Sequence, residues 1–162
     1  MQKYITWSLI VFGSGILFKI YGILNPPHAL TADFICTLAE SIAFTILIRK
    51  HIVAIFPVKI FEILKSSSLT GLFTGILSGA TNYVNLNYIH PDQIDLINKN
   101  TRLIYQKQNY TEEQITKALE LNEQLYTSIF YHLSSSIFSA VFIFGIIALI
   151  SRWFVQKNKT LA

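Results

Sequence analysis

Charge is scarce in this chain, and cysteine is scarcer. Only 14% of the 162 residues are charged, and Cys36 is the single cysteine. One thiol allows no internal disulfide framework and no Cys-based zinc site; in its apolar segment Cys36 reads as a small buried residue. The formal charge of +4 is moderate, and the lysines and arginines do not cluster with aromatics as a nucleic-acid groove requires. Nucleic acid is therefore excluded as a partner. Catalytic patterns are missing as well: there is no P-loop, no GxSxG, no HExxH and no paired-histidine metal spacing. His28, His51, His90 and His132 stand singly. Ser134, Ser135 and Ser136 have only His132 as a nearby base, on the same helix, and small hydroxyl residues in a membrane helix usually serve packing. The sequence thus points to no enzyme, no metal and no cofactor.

What is abundant is apolar surface. Hydrophobic residues make up 52% of the chain and mean hydropathy is +0.45, so a soluble domain would have nowhere to put its exterior. A hydrocarbon core of about 30 Å takes about 20 mainly apolar residues as a helix. Four stretches reach that length, at about 5–24, 32–49, 67–89 and 128–153. In the first, the apolar run continues past Lys19 into "YGIL" and is followed by Asn25-Pro26-Pro27-His28 in place of a small-x-small cleavage site, so it reads as a retained helix. The fold class expected is all-α: a single polytopic membrane domain of four transmembrane helices, with an extramembrane helical hairpin between helices 3 and 4.

The loops carry an orientation signal. Arg49, Lys50, Lys59 and Lys65 face one acid, Glu62, in segment 49–66, and Arg152, Lys157 and Lys159 follow the last span. Segment 88–127 has Lys99, Arg102, Lys107 and Lys117 against six carboxylates. Positive loops stay cytoplasmic, so both termini are expected inside and segment 88–127 outside. Tyr4, Trp7 and Trp153 would mark the inner interface, and Tyr21, Tyr88 and Tyr126 the outer one. Pro57 argues for a break after the second span; "FPVKIFEILKSS" beyond it reads either as a short interfacial helix or as a solvated start to the third span.

The hairpin, about 90–127, is built from familiar signals. Pro91 suits a helix start, and Asp92 and Asp95 complement first-turn amides. Ile94, Ile97, Ile104 and Tyr105 can share a face. Thr111 and Gln114 form a capping box, with Tyr110 and Ile115 as its hydrophobic staple. Asn109-Tyr110-Thr111 matches a glycosylation sequon but is better explained as the turn and the cap. Nothing between Thr111 and Trp153 need break a helix, so the second arm is free to run straight into the fourth span.

Two features inside the spans ask for an explanation. Lys19 and Glu40 are ionisable groups in spans 1 and 2, and such groups are commonly functional. Counted from residues 24 and 32 at about 1.5 Å per residue, they lie about 8 and 12 Å deep. An ion pair can form across that difference; otherwise Lys19 snorkels to the headgroups and Glu40 is protonated or faces the bundle. With Asn82 and His132 at similar depth, they outline a candidate polar pocket opening outward. The second feature is "GLFTGILSGATN". Gly71, Gly75 and Gly79 recur every four residues, extended back to Ser67 and bordered by Thr70, Thr74, Ser78 and Asn82. Each glycine gives up about 1 kcal/mol of helix propensity relative to alanine. In lipid, small residues let backbones approach and hydroxyls bond across, so this glycine zipper reads as a helix-contact seam. Its partner is the chain's own first or fourth span, which carry Gly13, Gly15, Ser136, Ser139 and Ala140, or another protein.

From Phe61 to Lys157 the chain resembles a family of small bacterial membrane proteins catalogued as domain of unknown function 4199. The residues that carry the likeness are "FEILKSSSLTGLFTGI", "YVNLNYIHPDQI", "YTEEQITKALELNEQ" and "GIIALISRWFVQKN". The resemblance implies a four-span fold and no known activity. The function expected is that of an interaction or accessory subunit of a larger membrane assembly, with the lipid bilayer and other membrane proteins or a homo-oligomer as partners. The alternative is a transport or lipid-handling unit working through the pocket around Lys19 and Glu40.

Overall fold

The computed structural model describes residues 1–57 and 59–160. Of Lys159, counted above in the tail, the helix is described but not the side chain. The order of elements is α1 (Gln2–Leu24), a 3-10 turn (Pro26–His28), α2 (Ala29–Ala54), α3 (Ile60–Val84), a π-helical turn (Asn85–Ile89), α4 (Asp92–Lys107), α5 (Glu112–Thr127) and α6 (Ile129–Thr160). No strand occurs among the described residues. Four helices are long and apolar enough to cross a membrane: α1, α2 with its preceding turn, α3 with the π turn, and α6. This is the pattern of a multi-pass membrane protein. The chain divides into two compact units, Met1–Ser78 with Ser136–Ala162, and Gly79–Ser135.

Proline sets two of the boundaries. Asn25 precedes Pro26, which disfavours the helical region for it, and it sits at φ −131°, ψ 74°. Its side-chain amide and its backbone N–H both donate to the Tyr21 carbonyl at 3.0 Å, satisfying the end of α1. The chain then restarts at once, so α2 begins at Ala29 and runs to Ala54. The helix extends three residues before and five beyond the span expected at 32–49, with polar Thr31, Lys50 and His51 among the added residues. Pro57 falls in the gap between α2 and α3. Beyond it α3 starts at Ile60 without a separate interfacial helix.

In the larger unit an apolar core of Val11, Phe44, Ile48, Ile52, Ile63, Phe144, Ala148 and Val155 joins α1, α2, α3 and α6. Phe44 and Phe144 stack at its centre, 4.3 Å between centroids. Around α3 the packing is made by small residues. Ser8 Oγ reaches both its own helix at the Tyr4 carbonyl (2.8 Å) and the Thr70 carbonyl of α3 (3.0 Å), an interhelical bond of the kind membrane bundles use. On the α6 side the glycines let backbone meet backbone. A Cβ on Gly71 would lie 2.8 Å from both N and Cα of Val141, and one on Gly75 would overlap Ile137 Cα and lie 2.7 Å from its N. The helix these two glycines meet is the chain's own fourth span. Gly15 instead faces Cys36 and Glu40 of α2, and Gly13 faces open space.

In the smaller unit α4 and α5 form a helical hairpin, with Ile94 and Ile115 buried. Its turn closes α4 with a Schellman motif. Asn109 takes the left-handed conformation at φ 61°; its N–H donates to the Gln106 carbonyl and that of Tyr110 to Tyr105, both at 3.1 Å. Tyr110 stacks on Tyr105, 4.9 Å between centroids, as the accompanying apolar contact. Thr111 then starts α5 with a complete capping box to Gln114. All three sequon residues are used by the turn and the cap.

The run from α5 into α6 is not continuous. Ser128 is extended, at φ −87° and ψ 119°. An unbroken helix would give the Tyr126 carbonyl the N–H of Phe130. Here it accepts from Asn87 Nδ2 at 3.1 Å and from His132 Nε2 at 2.9 Å. Two side-chain donors replace one backbone donor, so the break leaves no orphaned carbonyl. No breaker residue announces it in the sequence, because the compensating groups come from the π-helical turn after α3 and the first turn of α6.

Candidate intramembrane polar site

Hydroxyl groups in a membrane helix usually return their proton to the carbonyl three or four residues back. Ser14, Thr37, Thr45, Ser66, Ser67 and Thr70 all do so, at 2.6 to 3.0 Å. Another set behaves differently. Ser41 on α2, Ser78 on α3, and Ser136 and Ser139 on α6 line a cavity of about 100 Å³ together with Glu40 and Thr37. None of these four serine hydroxyls bonds another of the described residues; Ser41, Ser78 and Ser136 are half-buried and Ser139 is exposed.

Helix geometry assembles the lining. Thr37, Glu40 and Ser41 follow an i, i+3, i+4 spacing and share one face of α2. Ser136, Ser139, Ala140 and Ile143 do the same on α6, and Phe144 continues the wall. Close approach of α1 guards the other side of Glu40. A Cβ on Gly15 would stand 3.2 Å from Glu40 Cγ and 2.6 Å from Cys36 Sγ. Cys36, one turn before Glu40, places its thiol 3.7 Å from Oε1. Because α2 starts at Ala29, Glu40 lies eleven residues into it, roughly 16 Å along the axis at about 1.5 Å per residue.

Lys19 does not stand free at the surface. It is buried, 9% exposed, on the α1 face that also holds Ser8, Val11, Gly15 and Gly22. It does not pair with Glu40 either, since the ion pairs among the described residues are Arg102–Glu112 and Lys117–Glu113. Its charge is still close enough to act on the Glu40 carboxyl. The Glu40 carboxyl is instead engaged by Cys36 on its own helix and borders the cavity formed by α2, α3 and α6.

Asn82 and His132 belong to the smaller unit. His132 is 5% exposed and donates its Nε2–H to the Tyr126 carbonyl, since a carbonyl can only accept. Its ring packs edge-on to Tyr83 and Tyr131, at 6.0 and 5.5 Å. These contacts make it the brace of the Ser128 break. Asn82 is half-buried and makes no hydrogen bond to it. Of the seam residues, Gly79 belongs to this unit too, and a Cβ there would lie 2.6 Å from the His132 carbonyl oxygen. Ser67 and Thr74 are buried, and Thr74 Oγ1 has no partner. Ser78 turns out to line the Glu40 cavity.

Sequence reasoning named Glu40 but missed Thr37 and Ser41. The signal was present in their spacing with Glu40, a polar i, i+3, i+4 triplet inside an apolar span. No group of three His, Cys, Asp or Glu side chains able to hold a metal occurs among the described residues. Comparison with models of protein families, with curated proteins and with solved structures finds no match to this chain.

Proposed function

We propose that this chain is an accessory or interaction subunit of a larger membrane assembly, and that the α4–α5 hairpin is its contact surface. One observation carries the reading. Leu96 and Leu103, seven residues apart on α4, are 57% and 49% exposed, with Ile104 exposed beside them. Apolar side chains on the spans can face lipid. On an amphipathic hairpin held outside the membrane they face water unless a partner covers them. The glycines at 71 and 75 are occupied by α6, which leaves the hairpin as the better candidate surface.

The partner we infer is a different membrane protein with a cationic outer surface. Asp92, Asp95, Glu112, Glu113, Glu120 and Glu123 are all exposed on the hairpin and outnumber its cations, so a second copy would meet like charge. In this proposal both termini are cytoplasmic and segment 88–127 lies outside a bacterial inner membrane, as the cation bias of the other loops supports. Membership of the domain of unknown function 4199 family is part of the same proposal. The test is affinity purification from native membranes in mild detergent with mass spectrometry. A stoichiometric heterologous membrane protein, lost on Leu96→Glu with Leu103→Glu, is the expected result; recovery of the isolated chain or of a homo-oligomer would overturn it. The transport reading rests on a separate observation, the cavity at Glu40.

A further inference from the structure

We propose that the cavity among α2, α3 and α6 is a binding site for a small monovalent cation, with the Glu40 carboxylate as its charged ligand. Four serine hydroxyls and that of Thr37 line it beside the carboxylate, and the four serines, unlike the neighbouring hydroxyls of α1, α2 and α3, do not turn back to their own helices, which leaves their oxygens available to an occupant. At about 100 Å³ the space takes a few waters, at roughly 30 Å³ each, or a partly hydrated ion.

The donor set selects the occupant's charge and hardness. One carboxylate and five hydroxyl oxygens are hard ligands suited to alkali cations. Calcium draws on six to eight oxygens, usually with several carboxylates, and magnesium demands a strict octahedron and holds its waters tightly. A single carboxylate in low dielectric is neutralised by a single positive charge. A proton on Glu40 is the competing way to reach neutrality, so cation binding must displace it. The charged and titratable groups near Glu40 are Lys19 on α1 and Cys36 and Asp33 on α2; α3 and α6 present only hydroxyl and apolar groups to the cavity. Lys19 lies outside the lining and its charge opposes a bound cation. The site is therefore tuned weak, as an exchanging site must be.

The experiment uses the full chain in detergent or nanodiscs and dicyclohexylcarbodiimide, which modifies protonated carboxyls in apolar surroundings. Modification is followed by intact mass at fixed pH while choline chloride is replaced by NaCl at constant ionic strength. The expected result is one adduct, absent in Glu40→Gln, that forms at least about threefold more slowly in NaCl. Ser136→Ala with Ser139→Ala should weaken that protection while the thermal transition stays in place, and Lys19→Gln should strengthen it. Equal rates in sodium, lithium, potassium and choline would reduce the cavity to a proton site and overturn the proposal. Absence of any adduct across the pH range, or protection unchanged in the serine variant, would overturn it as well. The hairpin proposal is untouched by any of these outcomes.

Discussion

Replacing Gly75 by alanine adds one methyl group, and the structure places that methyl against the main chain of α6. It would overlap Ile137 Cα and stand 2.7 Å from Ile137 N and 2.9 Å from the Ser136 carbonyl oxygen. Non-bonded heavy atoms settle at about 3.5–4.0 Å, so the helices must separate by roughly 0.8 Å or more. Main-chain atoms have no rotamer to move into. Overpacking of this kind costs about 1–3 kcal/mol, and the propensity gain of about 1 kcal/mol for glycine to alanine offsets only part of it. Gly75→Ala should therefore lower the melting temperature, and Gly75→Ile should prevent the bundle from closing. Gly13 and Gly145 supply the internal control, since a Cβ on either meets nothing within 4 Å; alanine there should be neutral or stabilising. The chain carries its own reporter in Cys36, 4% exposed, which a thiol-reactive fluorogenic dye reaches only on unfolding. If Gly75→Ala melts with Gly13→Ala at or above the wild-type temperature, backbone contact between α3 and α6 is wrong.

Other consequences concern the hairpin and the break. Thr111→Ala removes one arm of the capping box and should cost about 1 kcal/mol, read as faster hydrogen exchange at the amides of 112–115, with Thr111→Ser close to wild type. Asn109→Gly should be tolerated, whereas Asn109→Val forces a β-branched residue into the left-handed region at about 1–2 kcal/mol, visible as a lowered hairpin melting temperature. Arg102 hydrogen-bonds Glu112 at 2.7 Å and holds its carboxyl below the ordinary value of 4.5, chiefly through that bond. A depressed carboxyl stabilises the fold above its unfolded pKa. That contribution is lost as pH falls from about 4.5 through the folded value, and Arg102→Ala should raise the Glu112 titration, followed by carboxyl NMR, toward the ordinary range while the Gln106 side chain still holds it slightly down. His132→Leu leaves the Tyr126 carbonyl with Asn87 alone, and should lower stability by about 1–3 kcal/mol by the same Cys36 melting measurement.

Much of this architecture can be read along the chain because its causes are local. The four long apolar helices follow from composition, the α5 start from Thr111 and Gln114, and the α1 end from Asn25 before Pro26. Elsewhere the causes are tertiary. Hydropathy could not find the ends of α2, where polar residues continue a helix that packing supports. The break at Ser128 depends on Asn87 and His132 reaching one carbonyl, and neither lies within four residues of it along the chain. The four-residue glycine spacing stands out in the sequence, yet which helix it meets is decided by how α3 and α6 come together. The Glu40 cavity combines serines nearly a hundred residues apart, and its mark is a negative one: hydroxyls that do not turn back to their own helix.

In the proposed reading one surface holds the bundle together and another recruits a partner. Purifying wild type, Gly75→Ala and the Leu96→Glu, Leu103→Glu double variant from native membranes, with co-eluting proteins and Cys36 melting recorded on the same samples, separates the two. The double variant should lose its partner while melting as wild type does, and Gly75→Ala should melt early. A double variant that keeps the partner, or one that loses it only by unfolding, would show that the hairpin is not the recruiting surface.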